Sequence, residues 1–100
     1  MTRLTVLIVD DTPEDREFYK RLLAQDLNTQ YSVFEADTGE KGLEIVCTHH
    51  PDCILLDYSL PGMNGVEFVD CLIAEMKQVF LPVIVLTSQG NEMVAADLCE

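Results

Sequence analysis

One hundred residues, 48% of them hydrophobic and 24% charged, make one globular domain at most, large enough to bury roughly two-thirds of the surface its unfolded chain exposes. A formal net charge of -12, with six Lys plus Arg scattered along the chain, argues against sequence-independent nucleic-acid binding and favours a bound cation or a basic partner. The longest apolar runs are far short of a membrane span, and Met1-Thr2-Arg3 leads at once into a strand pattern, so the expectation is a cytoplasmic protein with no membrane contact.

Residues 4–9, Leu-Thr-Val-Leu-Ile-Val, read as a buried strand that stops on acid at Asp10-Asp11. Thr12-Pro13-Glu14-Asp15 then has the marks of a helix start: a capping hydroxyl, proline at the first helical position, and acids facing the positive end of the dipole. That helix is expected to run to about Gln25 and to bury Phe18 and Leu22. Residues 31–36 alternate weakly and predict a second strand at a sheet edge. A helix from Gly39 to Thr48 follows, with Leu43, Val46 and Cys47 facing inward and His49-His50 closing it beside Pro51.

The central stretch is 52–65, DCILLDYSLPGMNG. Its apolar run Cys53-Ile54-Leu55-Leu56 reads as a strand buried on both faces, and it ends on Asp57 before a turn rich in proline, glycine and asparagine. In an open α/β sheet the ligand crevice lies at the carboxyl ends of such strands, so Asp57 is expected at its mouth. Residues 65–77 predict a third helix with Val66, Val69, Leu72, Ile73 and Met76 as its packing stripe. Pro82 opens a fourth strand, Val83-Ile84-Val85-Leu86, ending on Thr87-Ser88. From Gly90-Asn91-Glu92 a last helix is expected, carrying Met93, Val94 and Leu98.

Strict alternation of strand and helix implies a parallel α/β sheet with right-handed crossovers and helices on both faces. The four cysteines, Cys47, Cys53, Cys71 and Cys99, are far apart without a C-x-x-C pair, which fits reduced thiols used as small hydrophobes better than a disulfide or zinc framework.

Asp10, Asp11 and Asp57 come from the carboxyl ends of two strands that this topology can set side by side. Crowded carboxylates need protons or a divalent cation, and hard oxygen ligands without thiolate or imidazole select Mg²⁺, which shares its remaining positions with phosphate. Asp10 and Asp11 would hold the ion, Asp57 would be the nucleophile toward phosphorus, and Thr87 would offer a hydroxyl to a phosphoryl oxygen. Three acids at matched strand ends make mere solvated strand termini the weaker explanation.

Val9-Asp10-Asp11, Leu56-Asp57, Leu60-Pro61-Gly62-Met63-Asn64-Gly65 and Pro82-Val83-Ile84-Val85-Leu86-Thr87 resemble, in order and across the whole chain, the receiver domain of two-component response regulators. The resemblance implies a flavodoxin-like fold with central order 2-1-3-4-5, and a phosphorelay role that makes this a signalling domain rather than an enzyme. It implies that Asp57 takes a phosphoryl group from a phosphohistidine on a sensor histidine kinase or phosphotransfer protein. It also implies Mg²⁺ bound by Asp10, Asp11, Asp57 and the backbone carbonyl of Ser59, with Ser59 and Gln89 tuning the lifetime of the phosphoryl group.

Receivers continue into a fifth strand bearing a lysine and an aromatic switch residue, then a fifth helix, whereas this sequence ends at Glu100. The expectation is therefore an incomplete receiver over 1–100, strand order 2-1-3-4, with the fifth strand and helix missing. Strand 4 would then be an exposed edge, and self-association by edge pairing or element exchange would follow. Lys77 lies in the third helix and matches nothing in the motif.

The alternative within the fold is a receiver-like interaction module that is not phosphorylated for want of that lysine. An aspartate-nucleophile phosphohydrolase is disfavoured, because such enzymes place nucleophile and acid as D-x-D on one strand. A flavin site is weaker still, since the acid cluster would repel the cofactor phosphate.

Overall fold

The computed structural model describes residues 2–60, 62–75, 81–86 and 93–97. Strands β1 (Thr2–Val9), β2 (Thr29–Ala36), β3 (Cys53–Asp57) and β4 (Pro82–Leu86) alternate with helices α1 (Pro13–Ala24), α2 (Gly39–His49) and α3 (Gly65–Glu75), and a last strand β5 (Met93–Asp97) follows. The sheet order is β2-β1-β3-β4-β5. The first four strands are mutually parallel, as the alternation and the flavodoxin-like reading require. β1 is central enough that Val6, Leu7, Ile8 and Val9 are all at most 1% exposed, so successive residues are buried on opposite faces of the sheet.

One face is the principal core. Leu7, Val9, Ile54 and Leu56 pack there with Val46 of α2 and Phe68 and Leu72 of α3. Gly42 makes that approach possible: a Cβ on it would lie 2.9 Å from Val9 Cγ2 and 3.1 Å from Phe68 Cε2. Both neighbours are fully buried and have nowhere to retreat. Gly42→Ala is therefore expected to lower stability by about 1–3 kcal/mol, overpacking outweighing the better helix propensity of alanine. Urea unfolding of the pair checks this, and an unchanged or raised midpoint would contradict it.

Helix ends follow local chemistry. Thr38 Oγ1 accepts from Lys41 N at 3.1 Å at the start of α2, and His50 closes that helix in the left-handed region at φ 49°. Asn64 and Glu67 form a reciprocal capping box before α3, Asn64 N donating to Glu67 Oε1 at 3.0 Å and Glu67 N to Asn64 Oδ1 at 2.9 Å. At α1 the expected hydroxyl cap is absent. Thr12 stands at the N-cap, but its side chain makes no capping bond.

Several sequence expectations need correction. Phe18 and Leu22 are 57% and 47% exposed, and α1 buries no residue fully. Hydrophobic spacing identified the helix but not its inward face, which carries Arg16, Tyr19, Lys20 and Leu23. Cys47 is exposed, and in α3 the packed residues are Phe68, Leu72 and, partly buried, Val69, while Val66 and Ile73 face outward. Cys47, Cys53 and Cys71 are free thiols, in keeping with the reduced reading. Met76, Lys77, Leu98 and Cys99 lie outside the described residues.

The largest correction concerns the end of the chain. Met93–Asp97, expected in a helix, forms β5, antiparallel to β4 from Leu86↔Met93 to Pro82↔Asp97. Six residues separate the two strands, too few for the crossover a parallel partner needs, so the chain can return only antiparallel. An unpaired β4 edge would leave a row of backbone donors and acceptors unsatisfied, and pairing overrides the weak helical preference of Met-Val-Ala-Ala-Asp. β4 is consequently paired on both sides, and the open edge expected to drive self-association is absent from it. β5 contains no lysine.

Candidate metal centre

The site is built where β1 and β3 end. Pairing of β1 with β2 continues one residue past Val9, with Asp10 N donating to Ala36 O at 3.0 Å. The Asp10 carboxylate turns back to accept from Thr12 N at 2.9 Å. Thr12 O in turn accepts from Asp15 N and Arg16 N at 3.1 and 3.2 Å, starting α1, and Pro13 fits the first helical position, where no donor is needed. Asp10 and Asp11 are thus held at a junction whose backbone is hydrogen-bonded on both sides.

Asp57 closes β3 and sits level with Leu86 of β4. Tyr58 N donates to Leu86 O at 2.9 Å, and Ser59 N donates to Asp57 Oδ1 at 3.2 Å. Gly65 N returns to Tyr58 O at 2.9 Å and draws the start of α3 against the strand end. A Cβ on Gly65 would be 3.2 Å from the Tyr58 Cα, so the close approach favours glycine. Gly62 has φ 76°, a conformation side-chain-bearing residues rarely adopt.

Carboxylate oxygens of Asp10, Asp11 and Asp57 all lie within 4.8 Å of one another. Asp10 is 2% exposed, Asp57 half-buried and Asp11 exposed. Burial pushes the Asp10 carboxyl up to about 6, against the Thr12 N–H that stabilises its anion, and Asp57, Asp15 and Asp11 add repulsion. Asp57 is raised for the same leading reason, offset by the Ser59 N–H and reinforced by Asp11. The Tyr19 phenol is also raised, by burial and by the field of Asp10, Asp15 and Asp57.

Three anions crowded in this way fit a divalent cation. Their donors are hard carboxylate oxygens without sulfur or imidazole, the set that suits Mg²⁺ rather than zinc or copper. Binding would relieve the mutual repulsion that adds to burial in raising Asp10 and Asp57.

Of the residues anticipated from the sequence, the structure brings Asp10, Asp11 and Asp57 together and puts Ser59 in the turn beside Asp57. Thr87 and Gln89 lie outside the described residues. Arg16 escaped the sequence reading. Its Nη1 donates to the Asp10 carbonyl at 2.6 Å and its Nε to Glu35 Oε1 at 3.0 Å. The signal for it was a cation in the first turns of a helix, where the dipole disfavours positive charge unless a tertiary partner compensates.

Residues 6–100 match the response regulator receiver domain family. The chain is 36% identical over 94 residues to the nitrate/nitrite response regulator protein NarL of Escherichia coli K12, covering 92% of this chain and 42% of that protein. It is 35% identical over 92 residues to the phosphate regulon transcriptional regulatory protein PhoB of Pseudomonas aeruginosa, covering 92% and 39%. The chain therefore spans well under half the length of these curated relatives. Among solved structures it is similar to the Vibrio cholerae chemotaxis protein CheY4, with TM-score 0.76, 28% identity and coverage of 90% of this chain and 72% of that one. It is also similar to the signal receiver domain of NarL from Mycobacterium tuberculosis, with TM-score 0.74, 28% identity and coverage of 91% and 71%. No helix among the described residues is long and apolar enough to cross a membrane.

Proposed function

The chain belongs to the response regulator receiver domains, and from that premise we propose that residues 1–100 act in the cytoplasm as a phosphoacceptor whose Asp57 takes a phosphoryl group from a phosphohistidine. Receiver domains are signalling domains that interact with sensor kinases or phosphotransfer proteins, so the donor is a histidine of such a partner. The observation that carries this reading is the convergence of Asp10, Asp11 and Asp57 at the ends of β1 and β3.

The roles divide by position. A carboxylate oxygen of Asp57 attacks phosphorus in line with the leaving imidazole. The new O–P bond forms as the N–P bond breaks, and the imidazole nitrogen keeps the electron pair and takes up a proton. Asp10, Asp11 and Asp57, with the backbone carbonyl of Ser59, would hold Mg²⁺, which when bound would supply positive charge to offset that of the transferring phosphoryl group. The N–H of Ser59 fixes the carboxylate rotamer of Asp57, and the hydroxyl of Thr87 contacts a phosphoryl oxygen.

The proposal is tested with acetyl phosphate, a small acyl phosphate donor. Incubation with Mg²⁺ is expected to add one phosphoryl mass per chain, stable to acid and lost in hydroxylamine, and EDTA is expected to prevent it. Absence of the adduct with Mg²⁺ present, or its formation in EDTA at the same rate, would overturn the assignment.

A further inference from the structure

The main chain of Asp10 is bracketed on both sides. Its N–H is held by Ala36 O at 3.0 Å, and its carbonyl accepts from Arg16 Nη1 at 2.6 Å. Arg16 is itself anchored, because its Nε donates to Glu35 Oε1 at 3.0 Å; Lys20 Nζ pairs separately with the other oxygen of that carboxylate at 3.0 Å. The Arg16 side chain is only 17% exposed, so it is not a loosely solvated surface cation. The N–H lies in the peptide before Asp10 and the carbonyl in the Asp10–Asp11 peptide, so holding both fixes the turn between the two planes and with it the orientation of the Asp10–Asp11 peptide. The direction in which Asp11 leaves the strand end follows from that orientation.

We propose that Arg16 is a positioning residue for the cation site: clamped on Glu35, it locks the Asp10–Asp11 peptide so that the two carboxylates converge on Asp57. This rests on the reading of the three acids as a Mg²⁺ site. The task needs arginine, because two donors must diverge from one rigid group, Nη1 to a carbonyl and Nε to a carboxylate. A lysine ammonium can serve one of these partners but does not reproduce the fork.

The test is a calorimetric titration of the full chain with Mg²⁺, run with thermal melts in EDTA. Arg16→Met and Arg16→Lys are expected to raise the Mg²⁺ Kd roughly tenfold or more, the size typical of losing a group that orients a metal ligand. Lys20→Met breaks the adjoining ion pair but leaves Arg16 in place, and is expected to keep the Kd within roughly twofold whatever it does to the melt. In EDTA the amide resonances of Asp11 and Thr12 should move in the Arg16 variants and hold still in Lys20→Met. Folded Arg16 variants that bind Mg²⁺ as the wild type does would overturn the positioning role, even with lowered melting temperatures. Should Arg16→Met fail to fold, Arg16→Lys carries the same comparison. A wild-type chain that takes up no Mg²⁺ at millimolar concentration is a different result, and removes the metal-site reading itself.

Discussion

Asp57→Asn is expected to reduce phosphoryl labelling from acetyl phosphate and Mg²⁺ to background, at least roughly a hundredfold below wild type, because an amide oxygen lacks the nucleophilicity of a carboxylate. The substitution is nearly isosteric. Its Oδ1 can still accept the Ser59 N–H that now reaches Asp57 at 3.2 Å, so the strand end and the turn after it should survive. Mass spectrometry of intact protein before and after hydroxylamine reads the result. Asp37→Asn is the control, since Asp37 is exposed and its Lys41 contact of 3.8 Å is a long surface pair worth little. Labelling that persists in Asp57→Asn would place the acceptor elsewhere and dismiss Asp57 from the role given to it.

The second large effect is one of stability, and its sign depends on the metal. Asp10 has a folded pKa of about 6 against an ordinary value of 3.8, so the native state holds this proton more tightly than the unfolded chain does. Ionisation therefore opposes folding. The penalty is absent below the unfolded pKa, grows as pH rises through the window between 3.8 and about 6, and is complete above it. In EDTA at neutral pH, Asp10→Asn should raise stability by about 1–2 kcal/mol, discounted from the full shift because the site opens to solvent at Asp11. For a domain of this size that corresponds to roughly 4–8 °C in Tm per kcal/mol.

The variant keeps an oxygen for the Thr12 N–H, so the cap of the turn is preserved. At Mg²⁺ one hundred times Kd, the wild type should gain about 2.7 kcal/mol by mass action while Asp10→Asn gains little, reversing their order. Differential scanning calorimetry in the two buffers shows whether the curves cross. Equal shifts of the wild type and Asp10→Asn by Mg²⁺ would contradict the claim that Asp10 is a ligand. On the acid side the trend reverses. Glu35 is held below its ordinary 4.5 by the Lys20 and Arg16 hydrogen bonds, and Asp26 below its ordinary 3.8 by the Asn28 N–H. Their contributions are present above those ordinary values and are lost as pH falls through the lowered ones.

How legible this was in the sequence depended on whether a residue's role follows from its neighbours in the chain. Asp10, Asp11 and Asp57 could be read because each ends an apolar run, and a parallel sheet brings such ends to one side. The parallel order of β1 to β4 followed from the same alternation. The inward face of α1 did not. Phe18 and Leu22 have helical spacing, but whether a stripe is buried depends on what lies over it, and here they are exposed. β5 was hidden for a related reason. Met93–Asp97 is compatible with either helix or strand, and the deciding term is the open edge of β4, known only once the sheet is built. Arg16 was missed because its partners, Asp10 O and Glu35, are a main-chain atom and a residue on another strand.

Among the described residues, Asp10, Asp11 and Asp57 are the acids that the strand ends bring together. The account thus stands on a single pocket in which those acids act together. Carbon-detected NMR of the aspartate side-chain carboxyls, followed through a Mg²⁺ titration at neutral pH, measures this most directly. The account predicts that Asp10, Asp11 and Asp57 shift with one shared midpoint while Asp26 and Asp37 stay where they are. A titration in which Asp57 does not move, or in which the three respond at separate midpoints no different from those of the exposed acids, would contradict it.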